Sequence, residues 1–149
     1  LASSSAASDV YKRQSICSCN IRNGQSFYKL IFLKGKVMSM FNKMIKAIDD
    51  CNLDDYLDLL HDDYVFVRHQ SNQEVTKSEW IPVVTGMFNA MKEGKLNFKN
   101  NRCVYENEDI LVIHNIGNFP DNTKEAIMAV HTLSNGKIIK TESGATRID

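Results

Sequence analysis

His114 and His131 each interrupt an apolar stretch, LVIHNI and MAVHTL. A charged imidazole is costly in such surroundings, and a neutral one needs hydrogen-bond partners. If their strands pair so that both rings face one cavity, they can supply an acid, a base or an orienting hydrogen bond. The competing reading is a pair of satisfied core or dimer-interface histidines. Arg68 and His69 close the run YVFVRH, whose alternation sets Tyr64, Phe66 and Arg68 on one face and Val65, Val67 and His69 on the other. From that face Arg68 can hold a carboxylate or phenolate by a bidentate contact. It can equally close a salt bridge to Glu142 or Glu79, or project past the strand end. A bulge there would turn His69 to either side.

Other chemical groups carry less. Asp62-Asp63 reads as a solvated turn or cap between helix and strand rather than as paired catalytic carboxylates. Trp80, Met87, Phe88 and Met91 form either core or the lining of a cavity mouth, since an apolar wall with few polar groups also describes a small-molecule pocket. His61, His69, His114, His131 and the cysteines match no compact metal-ligand spacing, and no metal or cofactor is expected. There is no GxSxG, no glycine-rich phosphate loop and no CxxC, so hydrolase, nucleotide and redox readings lack their minimal parts. The candidate ligand-binding set is Tyr64, Phe66, Arg68, His69, Trp80, His114 and His131, with no catalytic residue assigned.

The elements that must position these groups follow from periodicity. Phe41, Met44, Ile45 and Ile48 recur at helical spacing, and so do Leu53, Tyr56, Leu57 and Leu60 after Asn52, a good N-cap. Period two then takes over from Tyr64. Thr76-Lys77-Ser78-Glu79 has the form of a capping box and opens a helix with Trp80, Val83, Val84, Met87 and Met91 on its apolar stripe, stopped by Gly94. Pro82 inside it predicts a late start or a kink. Strands are expected at about Leu96 to Glu106, Ile110 to Gly117, Lys124 to Leu133 and Lys137 to Arg147. Asn135-Gly136 is the strongest hairpin signal, because a type I′ turn needs two residues tolerant of positive φ. A meander of four strands plus the earlier one gives a bent antiparallel sheet, and three helices on one face leave a cone between the layers.

Charge is distributed unevenly. Of eighteen basic and eighteen acidic residues, six basic and one acidic fall before Met38, which leaves twelve against seventeen and a formal charge of −5 from there on. That balance, with scattered lysines, argues against nucleic acid. No stretch approaches the roughly 20 apolar residues that span a bilayer, so no membrane partner is expected. Ser4 to Gln14, SSAASDVYKRQ, resembles the translation of a transposase adapter used in fragment-library sequencing. Residues 1–37 are accordingly expected to be a non-native or disordered leader on an environmental gene fragment, with the native start at Met38 or Met40. Cys51 and Cys103 then remain as two reduced, partly buried thiols, in keeping with a cytoplasmic location.

The order helix, helix, strand, helix and hairpins over residues 38–149, with Asn52-Leu53-Asp54-Asp55, Leu60-His61-Asp62-Asp63-Tyr64 and the T-K-S-E-W helix start, resembles the nuclear transport factor 2-like (NTF2-like) superfamily. That superfamily includes the SnoaL-like polyketide cyclases and ketosteroid isomerase. The resemblance implies an α+β domain, a curved antiparallel sheet packed against three helices with a cone-shaped pocket, and a homodimer formed through the sheet. Matching from the acidic pair puts Arg68 where the isomerase has its carboxylate base and Met44 where it has its oxyanion-binding tyrosine. Arginine cannot be that base at neutral pH. Two readings follow: a protein that binds or transforms a small, partly apolar molecule, by histidine-assisted proton transfer or water addition if catalytic, and a noncatalytic dimeric accessory or interaction module.

Overall fold

The computed structural model describes residues 38–148, so the adapter and leader reading of residues 1–37 lies outside the described residues. Helix α1, Met40–Asp49, is capped by Ser39, whose hydroxyl accepts from the Asn42 amide at 3.2 Å. It buries Met40, Met44 and Ala47, with Phe41 and Ile48 packed alongside. The buried stripe is therefore rotated from the expected one: Met40 and Ala47 are buried with Met44, whereas Phe41, Ile45 and Ile48 are half-buried. Helix α2, Leu53–Asp58, is short; Asn52 caps it by accepting from the Asp55 amide at 3.2 Å. Leu60, expected to continue that helix, instead opens strand β1, Leu60–Arg68, and is fully buried opposite Ile138.

The pairing of β1 is irregular between Leu60 and Val65, which is where Asp62 and Asp63 lie exposed. Lys77 Nζ holds Asp62 at 3.1 Å, so the acidic pair is a solvated feature of the strand rather than of a turn. A short edge strand that periodicity did not reveal, β2 (Gln73–Thr76), folds back antiparallel on β1. Four residues are too few to display an alternation. Helix α3, Lys77–Lys92, follows at once, with Glu79 Oε2 accepting from the Thr76 amide at 2.9 Å and from its hydroxyl at 2.7 Å. The expected late start is absent: Pro82 lies inside the helix. The carbonyl deprived of a donor there belongs to exposed Ser78, within reach of water. At the other end Gly94, with φ of 70°, closes a Schellman motif: its amide donates to Met91 and that of Lys95 to Ala90.

Strands β3 (Asn97–Glu106), β4 (Ile110–Asn118), β5 (Lys124–Ser134) and β6 (Lys137–Arg147) form the expected meander. Asn135 and Gly136, with φ of 50° and 74°, make the β5–β6 turn. The six-stranded sheet has the order β2-β1-β6-β5-β4-β3. The sheet is the expected curved, mostly antiparallel one, with a single parallel pairing, that of β1 with β6. The long connection through β2, α3 and strands β3 to β5 lets β1 and β6 lie side by side in the same direction. Helices and sheet enclose Leu60, Tyr64, Leu111, Ile113 and Ile138 against Met40, Met44, Trp80, Val84 and Phe88. Cys51 and Cys103 are free thiols, and Cys103 is exposed on β3 rather than partly buried. Among the described residues no helix is long and apolar enough to cross a membrane.

Candidate functional site

Cross-strand register aligns three inward side chains in one row. Phe66 on β1 is opposite Thr141 on β6, and Thr141 is opposite His131 on β5. One step along the strands, the next inward row holds Arg68, Ser143 and Ala129. Helix α3 lays Trp80 over the first row, its indole stacked on Phe66 with centroids 4.2 Å apart and planes inclined by 11°. The α2 residue Tyr56 closes the row from above and packs its ring on Phe88 at 5.5 Å. Between these groups lies a cavity of about 530 Å³ lined by Tyr56, Phe66, Trp80, Met87, His131 and Thr141 among others, with Arg68, Gln70, Asp121, Thr123 and Glu125 also on its wall. A smaller space of about 110 Å³ shares Tyr56, Met87, Asn115 and His131 with it and continues toward Met44 and Ile113.

His131 is buried, and its Nδ1 lies 2.8 Å from Thr141 Oγ1; either atom can be the donor. Burial pushes the imidazole down to about 4, so near neutral pH the ring is uncharged. Nε2 is the nitrogen not engaged with Thr141. Burial also raises the Tyr56 phenol, against a smaller opposing influence of the Trp80 indole. Tyr64 is raised by burial first and by the neighbouring Tyr56 second, with Thr141 opposing. Both phenols therefore act as neutral donors, not as bases. Trp80 Nε1, Tyr64 Oη and Asn115 Oδ1 are buried side-chain atoms without a well-formed hydrogen bond among the described residues, with the Tyr56 phenol beside the first and Thr141 beside the second. The site thus offers a neutral proton acceptor and the polar atoms of Tyr56, Trp80 and Asn115 in an aromatic, largely apolar enclosure.

Of the seven residues singled out by sequence, Phe66, Arg68, Trp80 and His131 line this cavity. Tyr64 shares their side of β1 but is core, 1% exposed. His69 and His114 lie elsewhere, in a shallow groove with Met128 and Gly144. His114 pairs with Met128, three positions before His131, and an odd separation along one strand reverses the face. The two histidines therefore do not converge. Arg68 makes neither salt bridge considered for it: Glu142 holds Lys140 at 3.1 Å and Glu79 caps α3. Sequence reasoning missed Thr141 and Asn115 and took Tyr56 for plain core. An amphipathic stripe does not say which of its members borders a void, and nothing local marks Thr141. Among the described residues no group of three or more histidine, cysteine and acidic side chains is placed to hold a metal ion.

A curved, unclosed sheet wrapped on three helices over such an enclosure defines the NTF2-like class of α+β proteins. A SnoaL-like domain profile matches residues 37–142, and the chain belongs to that family. Among solved structures it is similar to an NTF2-like protein of unknown function from Burkholderia xenovorans, with 14% identity, a TM-score of 0.58, and coverage of 72% of this chain and 80% of that one. It is likewise similar to a provisionally assigned ketosteroid isomerase from Kribbella flavida, with 11% identity, TM-score 0.57, and 72% and 75% coverage. A third is IdmH, a provisionally assigned polyketide cyclase from Streptomyces antibioticus, with 9% identity, TM-score 0.53, and 69% and 86% coverage. At such identities the likeness carries the fold alone. No curated protein matches the sequence significantly.

Proposed function

We propose that the SnoaL-like domain, residues 38–149, binds a small, partly apolar molecule in the cavity between sheet and helices, and that His131 assists a proton transfer or water addition there. The observation that carries this is the buried His131–Thr141 pair opening on an aromatic cavity of about 530 Å³. That volume lies in the range of small-molecule sites, and the few polar atoms set in apolar walls are what such sites use to orient a ligand. A neutral imidazole can accept a proton through Nε2 while Nδ1 is held by the threonine. Tyr56 and Trp80 would donate to an oxygen of the bound molecule. Steroid isomerisation is not part of this reading, because Arg68 and Met44 stand where that chemistry needs a carboxylate and a phenol. The free thiols of Cys51 and Cys103 are in keeping with a cytoplasmic setting.

Trp80 is the only tryptophan of the chain, so its emission reports on this cavity alone. Titration with small carboxylates, phenols and polyketide-like compounds is expected to change that emission for at least one class. His131→Ala should weaken or abolish the response or any turnover, while His114→Ala should leave both unchanged. An emission insensitive to every compound would refute the reading.

A second reading, a dimeric accessory or interaction module, rests on a different observation. Met128 is 48% exposed beside His69 and His114, across the sheet from the cavity. In this reading the domain self-associates through that face, and the cavity is incidental.

A further inference from the structure

Resting on the cavity reading above, we infer that the ligand is an organic anion: a compact carboxylic acid whose carboxylate is held by Arg68 and whose carbonyl or hydroxyl oxygen reaches the His131–Thr141 pair. Arg68 occupies the inward row next to that of His131 and Thr141. Two residues of strand separate the rows, on the order of 7 Å. The stacked Phe66 and Trp80 rings stand on the wall of the same cavity. A molecule that satisfies both polar ends must therefore carry a flat or aliphatic body between two oxygen functions spaced at about that distance.

The sign of the charge follows from which rim groups have an opposite charge or donors beside them. Asp121 accepts from the Thr123 amide at 3.0 Å and from its hydroxyl at 2.7 Å, and it feels the positive charge of Arg147. Glu125 is directly opposite Arg147 in the β5–β6 register. Both acids of the rim thus have a basic group or donors nearby. Arg68 forms no ion pair among the described residues, and its five N–H donors in a planar fork match the geometry of a carboxylate. Deeper in, Trp80 Nε1, a donor on a residue 7% exposed with the Tyr56 phenol beside it, favours an acceptor oxygen over a cation.

Calorimetric titration of the full chain with three matched probes tests this: para-acetylbenzoate, its neutral amide, and para-acetylbenzylamine. Para-acetylbenzoate is expected to bind about tenfold or more tightly than the amide, as a charge-assisted bidentate contact requires. Arg68→Gln, at an exposed strand end, should erase that preference by weakening the acid far more than the amide. Equal binding of acid and amide, or a preference that survives Arg68→Gln, overturns the anion assignment while the cavity reading stands. Tighter binding of the ammonium probe assigns the rim to Asp121 and Glu125 and also overturns it. If none of the three binds, the anion assignment falls, and the Trp80 titration with phenols and polyketide-like compounds decides the cavity reading separately.

Discussion

His131 Nδ1 and Thr141 Oγ1 lie 2.8 Å apart on neighbouring strands, both residues buried. Ten positions separate them in sequence, and the hairpin turn between them makes them partners. Each satisfies the other in a place where water is scarce. Thr141→Val keeps the shape and removes the hydroxyl, which leaves a buried imidazole nitrogen without its partner. Chemical denaturation should report a loss of about 1–3 kcal/mol. Thr141→Ser, which restores the hydroxyl, should recover most of it; equal losses in the two variants would show that methyl packing, not the hydrogen bond, matters.

The same burial gives stability a pH dependence. His131 titrates at about 4 in the fold against 6.5 when unfolded, so between those values the unfolded chain takes up a proton that the native state refuses. Its contribution is intact above about pH 6.5 and is lost as pH falls toward 4, by about 3 kcal/mol in all at 1.36 kcal/mol per unit. Asp62, Glu79 and Asp121 have lowered values and add their own losses only below the ordinary carboxylate range, with unshifted values of 3.8 to 4.5. Denaturation midpoints measured between pH 5 and 7 should therefore slope upward with pH. His131→Gln should flatten the slope, and an unchanged slope would place its origin elsewhere.

Gly117 decides where one wall of the cavity stands. A Cβ there would come within 2.8 Å of Phe119 Cε2 and 3.1 Å of Ile127 Cδ1. Phe119 in turn meets Phe98 edge to face at 6.5 Å, and both rings line the cavity. Gly117→Ala should displace Phe119 and weaken any ligand detected through Trp80 by several-fold. The fold should lose only about 1–3 kcal/mol, in the range of an overpacked site. Unaltered binding would show that the Phe119 wall does not touch the ligand.

Met128 tests the self-association reading. A charge placed in an apolar patch that is buried on association is strongly unfavourable. Met128→Glu should shift sedimentation or light scattering from dimer toward monomer while the Trp80 response to ligand stays as it is. A monomeric parent protein would remove the reading outright.

Much of the architecture is written locally. The Asn52 cap, the Thr76-Glu79 helix start, the Gly94 stop and the Asn135-Gly136 turn each depend on the conformational demands of a few adjacent residues, and each is found in place. Alternation likewise assigns Phe66 and Arg68 to one face of β1. The short strand β2 has too few residues to show a period, and the spacing of Leu60 fits both the α2 stripe and the first buried position of β1.

Sequence by itself thus determined the elements, their turns and which residues of one strand share a face, because those are properties of neighbouring φ and ψ angles. Only tertiary structure decided which faces meet. Whether His131 stands with Thr141 or with His114 depends on the parity of two hairpin registers, and a shift of one residue in either would reverse it. The parallel docking of β1 on β6 then put Phe66 and Arg68 beside Thr141 and Ser143, some 75 residues away in sequence. A site assembled from β1, β5, β6, α2 and α3 exists only once long-range packing has brought these elements together.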